Sequence, residues 1–74
     1  MIADSIAGAI IFNRRNDDPE WRHQAGTLAY HLEAGGNLSA NAMQALRSNV
    51  PEMKHAKTKE QFIAALRGVE IVLN

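Results

Sequence analysis

Apolar side chains recur at intervals of three and four residues through most of this chain, the spacing that lines one side of an α-helix. Polar caps, prolines and glycines divide them into four segments. In the first, Ile2, Ile6, Ala9, Ile10 and Asn13 share a face, and Asp4 or Ser5 can accept the free backbone N–H groups of a helix start. This predicts a helix over residues 4–15. The apolar run within residues 6–12 also suits a short buried strand, because periodicity does not separate the two over so few positions. Helix is favoured, since no second strand-like run lies within hairpin reach and an unpaired strand would leave its backbone groups unsatisfied. Ala7, Gly8 and Ala9 would let a neighbouring helix approach closely.

The second segment has the clearest ends. Asp18, Pro19 and Glu20 supply in turn an N-cap, a first-turn proline with no N–H to leave unpaired, and an acid on the positive end of the helix dipole. Trp21, Ala25, Leu28, Ala29 and Leu32 then form a stripe that stops at Gly35 and Gly36, where a left-handed cap costs little. A helix over 19–34 follows. Ser39 caps a third, over 40–49, in which Ala42, Ala45, Leu46 and Val50 continue a face begun by Leu38. Pro51 ends it, because the residue before a proline is pushed out of the helical region. One more helical turn is expected within 52–56.

Thr58 and Gln61 fit a capping box at the head of the last helix, predicted over 59–73. Its buried stripe would be Phe62, Ala65, Leu66, Val69, Val72 and Leu73, with Ile63 and Ile71 at the edge. So wide an apolar face suggests a central place in the bundle or a homodimer surface. The expected fold class is all-α: a compact bundle of about four short helices in a single domain over residues 1–74.

Composition narrows the setting. A chain of 74 residues lies near the lower limit for unaided folding, so its stability margin is thin. The absence of cysteine excludes disulfides and thiolate metal cages and suits a reducing, cytoplasmic environment. Eight basic and eight acidic residues balance, which argues against strong sequence-independent binding to nucleic acid or to anionic membranes. The balance is uneven: residues 1–37 carry three arginines and five acids, net −2, and residues 38–74 carry five bases and three acids, net +2. The apolar run from Ile6 to Phe12 is preceded by Asp4 rather than by basic residues, unlike a signal peptide, and is far shorter than the roughly 20 residues that span a bilayer.

Candidate chemistry is sparse. His23 and His31 stand more than two helical turns apart and cannot share an ion, and His55 sits among lysines that would repel one, so no metal and no cofactor are expected. Asp17 and Asp18 read as a helix start rather than a catalytic carboxylate pair. Ser39 and Ser48 lack the glycine-flanked elbow of a nucleophile, and no glycine-rich phosphate loop precedes a helix. The expectation is that the chain is not an enzyme.

Two binding readings compete. Residues 35–39 resemble the turn of a helix-turn-helix, which would make 40–49 a recognition helix presenting Asn41, Gln44, Arg47 and Ser48 to DNA base edges. The turn is about one residue too long for that motif, and few bases flank the helix to hold phosphates. The favoured reading is a partner-binding face of Arg22, His23, Thr27 and Tyr30 on the second helix, with Trp21 in the core and a basic stretch of Lys54, Lys57 and Lys59 ahead of the last. Its free helix-start N–H groups would add to that stretch's hold on an anion or an acidic loop. On this view the chain is a small protein–protein interaction module, a regulator or inhibitor of a larger macromolecular complex, of the size common in phage and mobile elements.

Overall fold

In the computed structural model, which describes residues 2–71, the isoleucine-rich first segment is helical throughout, as α1 (Ile2–Arg15). The strand alternative for residues 6–12 therefore falls away. The buried face is shifted from the predicted one: Ile10 is buried and Ile6 packs against the core as expected, but Ala3 and Ala7 also point inward, whereas Ile2 is exposed, as is Phe12. Size explains the choice. Ala3 and Ala7 join Ala25 and Ala29 in one buried cluster, and small side chains on both helices allow a closer approach than a face of isoleucines would. Gly8, expected to serve such an approach, instead faces open space.

Asp4 does not cap its own helix, which starts at Ile2. Its carboxylate accepts the backbone N–H of Ser39 at 2.9 Å and so ties α1 to the start of the third helix. That hydrogen bond holds the Asp4 carboxyl below the ordinary carboxylate range. A depressed folded-state value means the contact contributes stability above the unfolded-chain value of about 3.9 and loses it as pH falls through the lower, folded value. Asp4→Asn is accordingly expected to reduce the steepness of acid unfolding below pH about 4, read by circular dichroism across a pH series, and to lower stability at neutral pH, where the charged contact contributes fully.

Helix α2 (Glu20–Glu33) begins as its sequence dictates. Asp18 Oδ1 accepts the Glu20 N–H at 3.0 Å, and Asp17, at φ 55°, turns the chain into it. All five residues of the expected stripe, Trp21, Ala25, Leu28, Ala29 and Leu32, are buried. The end is a Schellman arrangement, with Gly36 N–H donating to the His31 carbonyl at 2.8 Å, Gly35 N–H to that of Leu32 at 3.3 Å, and Gly35 at φ 104°. Helix α3 (Ala40–Asn49) keeps the predicted limits: Ser39 Oγ accepts the Ala42 N–H at 3.0 Å, and Val50 is extended ahead of Pro51. The extra turn is a 3-10 turn, Pro51–Met53, earlier and shorter than expected, and it buries Met53.

Helix α4 (Lys59–Val69) opens with the full capping box, Gln61 N–H to Thr58 Oγ1 and Thr58 N–H to Gln61 Oε1, each at 3.1 Å. It stops at Val69, short of the predicted limit of 73. Two tertiary contacts account for the stop. Arg22 Nη1 donates to the Val69 carbonyl at 3.1 Å, and Glu70, already extended, accepts from Arg67 at 2.7 Å while lying against Gly26. Val72 and Leu73, expected in the stripe, lie outside the described residues. Ile63 packs against the core, so the predicted surplus of apolar surface on this helix is absent from its described part, and Ile71 is exposed beyond it.

The elements close into a ring. α1 lies between α2 and α3, α2 between α1 and α4, and the 3-10 turn joins α3 to α4. Ile10, Leu28, Leu32, Leu46, Val50, Met53, Phe62 and Leu66 fill the centre. Trp21 seals one side, with the Arg22 guanidinium 4.5 Å and the Arg14 guanidinium 5.3 Å from its ring centre. No described helix is long and apolar enough to cross a membrane.

Candidate functional site

The rotation of α1 that buries its alanines turns another flank outward. Ile2, Ile6 and Ala9 lie along it at helical spacing, and Ser5, Ala9 and Phe12 form the adjacent row. All of these but Phe12, together with Gln24 and Thr27 of α2, line an open groove of about 520 Å3 along the seam of the two helices. The lining residues Ile2, Ser5, Ile6, Ala9, Gln24 and Thr27 include no charged side chain. Ile2 is 67% exposed and Phe12 66%, large values for apolar side chains in so small a domain.

This groove does not end at Ile2. The same side chain borders a second hollow, of about 320 Å3, together with Ala3, His31, Gly36 and Asn37. Asn37 in turn borders a third, of about 160 Å3, floored by Leu32, Leu38 and Met43 and rimmed by Lys57 and Lys59. Three concavities therefore run in series from the α1–α2 seam to the head of α4, apolar and uncharged at the first and basic at the last.

The expected partner face on α2 is divided by this geometry. Thr27 is exposed and lines the first groove, its hydroxyl donating to the His23 carbonyl at 3.2 Å. Tyr30 is 64% exposed and meets the half-buried His31 edge-on at 6.0 Å between ring centres. His23 is half-buried. Arg22 belongs to the fold instead, since its guanidinium is committed to Trp21 and to the end of α4. In the basic stretch Lys54 and Lys57 are exposed, and Lys59 donates to Asn37 Oδ1 at 3.3 Å. Of the N–H groups at this helix start, those of Lys57, Thr58 and Gln61 are taken up by the capping box, and those of Lys59 and Glu60 have no acceptor among the described residues.

The would-be recognition helix is engaged internally. Arg47 donates to the Ala56 carbonyl at 3.2 Å and to Gln44 Oε1 at 3.0 Å, with its guanidinium 5.9 Å from the Phe62 ring centre. Gln44 also donates to Ser48 Oγ at 3.3 Å, which leaves Asn41 as the one of the four with no hydrogen-bond partner among the described residues. α2 and α3 are not packed against one another, as the two helices of a helix-turn-helix are. Comparison with known protein families, with characterised proteins and with solved structures gives no match.

Sequence reasoning missed the exposed flank of α1 because it placed Ile2 in the interior. One signal was available. Residues 2–12 hold more apolar positions, on more sides of a helix, than a single buried stripe can use, and the surplus had to emerge somewhere.

Proposed function

We propose that this chain is a small protein–protein interaction module without catalytic activity of its own, a regulator or inhibitor that works by occupying a surface on a larger complex. Phage and other mobile elements commonly encode proteins of this size and kind, and that is the setting we favour. The observation that carries the proposal is the outward flank of α1, where Ile2 and Phe12 stay two-thirds exposed beside an uncharged groove. Exposed apolar side chains contribute nothing to a core, and in a domain with a thin stability margin their cost is offset when a partner covers them. The occupant we favour is an amphipathic helix of another protein, laid along the α1–α2 seam with its apolar stripe inward. Tyr30, at the edge of the same surface, is suited to act as an anchor.

A photo-crosslinking residue placed at Ala9, within the groove, tests this in cells of the source organism. A single dominant crosslinked partner is expected, and Ile2→Ser with Phe12→Ser should weaken its capture roughly tenfold while leaving the helical spectrum unchanged. Undiminished capture by the double variant would sink the proposal. Crosslinking only to a second copy would make the face a homodimer interface, and retention on duplex DNA that is lost with Arg47→Ala would favour the recognition-helix alternative.

A further inference from the structure

We infer that the hollow at the head of α4 seats an acidic segment of the partner, with one aliphatic side chain in the hollow and carboxylates against Lys57 and Lys59. This rests on the reading of the surface as a protein contact and adds the partner's chemistry and orientation to it: apolar along the α1–α2 seam, acidic at the far end.

Size comes first. The hollow measures about 160 Å3. An apolar cavity of about 150 Å3 holds a benzene-sized group, and pockets for whole small-molecule ligands are about 300–1,000 Å3, so this one accepts a single side chain. Its floor of Leu32, Leu38 and Met43 asks for an aliphatic one, and the unbranched methionine can adjust to the shape of what enters.

Charge comes second. The three ion pairs among the described residues all use arginines, Arg14 with Glu52 and Arg67 with both Glu33 and Glu70. No described carboxylate is paired with Lys54, Lys57 or Lys59, although the three lie within six residues of one another. Asn37 holds the Lys59 ammonium beside the hollow it helps to line. The positive end of α4 adds to the same field. A chain with no net charge has gathered here a cationic rim that its own acids do not neutralise.

The apolar floor decides between anions. A phosphate bound at a helix start is cradled by free backbone N–H groups. Those of Lys57, Thr58 and Gln61 are already taken by Gln61 Oε1 and Thr58 Oγ1, which leaves those of Lys59 and Glu60 at this one. These two N–H groups and the Lys57 and Lys59 ammonium groups surround an apolar hole, which suits glutamate or aspartate side chains on either side of a leucine-like residue better than a phosphate backbone with nothing apolar to seat there.

The probe is a fluorescent, end-capped hexapeptide of glutamates with one central leucine, titrated against the full chain at low ionic strength and read by anisotropy. Saturable binding is expected, with the Met43 methyl resonance shifting on titration. Lys57→Gln with Lys59→Gln should weaken binding roughly tenfold, as should glutamine in place of the peptide's glutamates. Serine in place of its leucine should weaken binding severalfold. No binding to the unaltered chain, equal binding to the lysine variant, indifference to the leucine, or tighter binding of a single-stranded oligonucleotide would each overturn the inference. Ile2→Ser with Phe12→Ser should leave this peptide's affinity unchanged, so loss of the crosslinked partner in that variant reports on the groove alone. A failed peptide titration beside an intact crosslink would remove the acidic partner and leave the interaction module standing.

Discussion

Phe62→Ala is expected to cost about 3–5 kcal/mol and Phe12→Ala less than about 0.5 kcal/mol, although both begin as phenylalanine on a helix. Phe62 is fully enclosed in the central cluster that also holds Leu66, Leu46 and Met53, and Arg47 lies over its ring. Truncation there removes an aromatic ring from the middle of the domain and leaves a cavity that the ring of helices closes only in part. A 74-residue chain holds a total stability of about 4–11 kcal/mol at the usual stability per residue, so this one change removes much of it. Each kcal/mol lowers the melting temperature of a domain this size by about 4–8 °C, which makes the difference between the two variants plain in a thermal scan. Phe12, 66% exposed, leaves no cavity when truncated. A chain in which Phe12→Ala proved as destabilising as Phe62→Ala would have its first helix rotated relative to the one described, and the groove with it.

That pair marks the line between what could be read in the residues and what could not. The stripe of α2, the cap at Ser39, the break at Pro51 and the capping box of Thr58 and Gln61 all stand as expected, because each depends on residues within one or two helical turns of one another. The face of α1 depends on its neighbours. Two apolar sides overlap there, one running through Ala3, Ala7 and Ile10 and one through Ile2, Ile6 and Ile10, and hydrophobicity alone prefers the second, whereas close packing against Ala25 and Ala29 prefers the first. The end of α4 depends on Arg22, 47 positions away in sequence, which takes the Val69 carbonyl.

The same division runs through the site. Lys57 and Lys59 stood out as a cluster of like charge, and Thr27 and Tyr30 as polar and aromatic residues away from the core stripe. Leu38 and Met43, which turn the lysine pair into the rim of a hollow, are about fifteen to twenty positions earlier and meet it only through the path of α3. Arg22 illustrates the opposite error. An arginine beside a tryptophan has the composition of a binding anchor, and nothing local announces that its guanidinium is spent on the backbone of another helix.

The glycines provide the second large effect, and their order is the test. Gly35→Ala puts a Cβ on a residue at φ 104°, where side chains other than glycine are strained, and should cost about 1–2 kcal/mol. Gly36→Ala meets a different obstacle: its Cβ would stand 2.7 Å from the His31 carbonyl oxygen, part of the backbone and unable to swing aside. Relief requires moving the chain and lengthening the Gly36 to His31 hydrogen bond that closes α2, with an expected loss of about 1–3 kcal/mol for a buried bond broken. At Gly26 the obstacle is the end of the Glu70 side chain, which can turn away at the expense of its bond to Arg67, so Gly26→Ala should cost less than either. Gly8 reverses the sign. It lies within α1 with nothing within 4 Å of a new Cβ, and Gly8→Ala should stabilise the chain by about 0.8–1 kcal/mol through helix propensity alone. Melting temperatures should therefore rise for Gly8→Ala, change little for Gly26→Ala, where helix propensity offsets the lost ion pair, and fall for Gly35→Ala and Gly36→Ala. A destabilising Gly8→Ala would mean that something packs against that side of α1 after all. If Gly36→Ala were harmless, α2 would not end in the hairpin-tight turn that brings Gly36 and Asn37 to the middle hollow, and the series of concavities leading to Lys57 and Lys59 would be broken at its link.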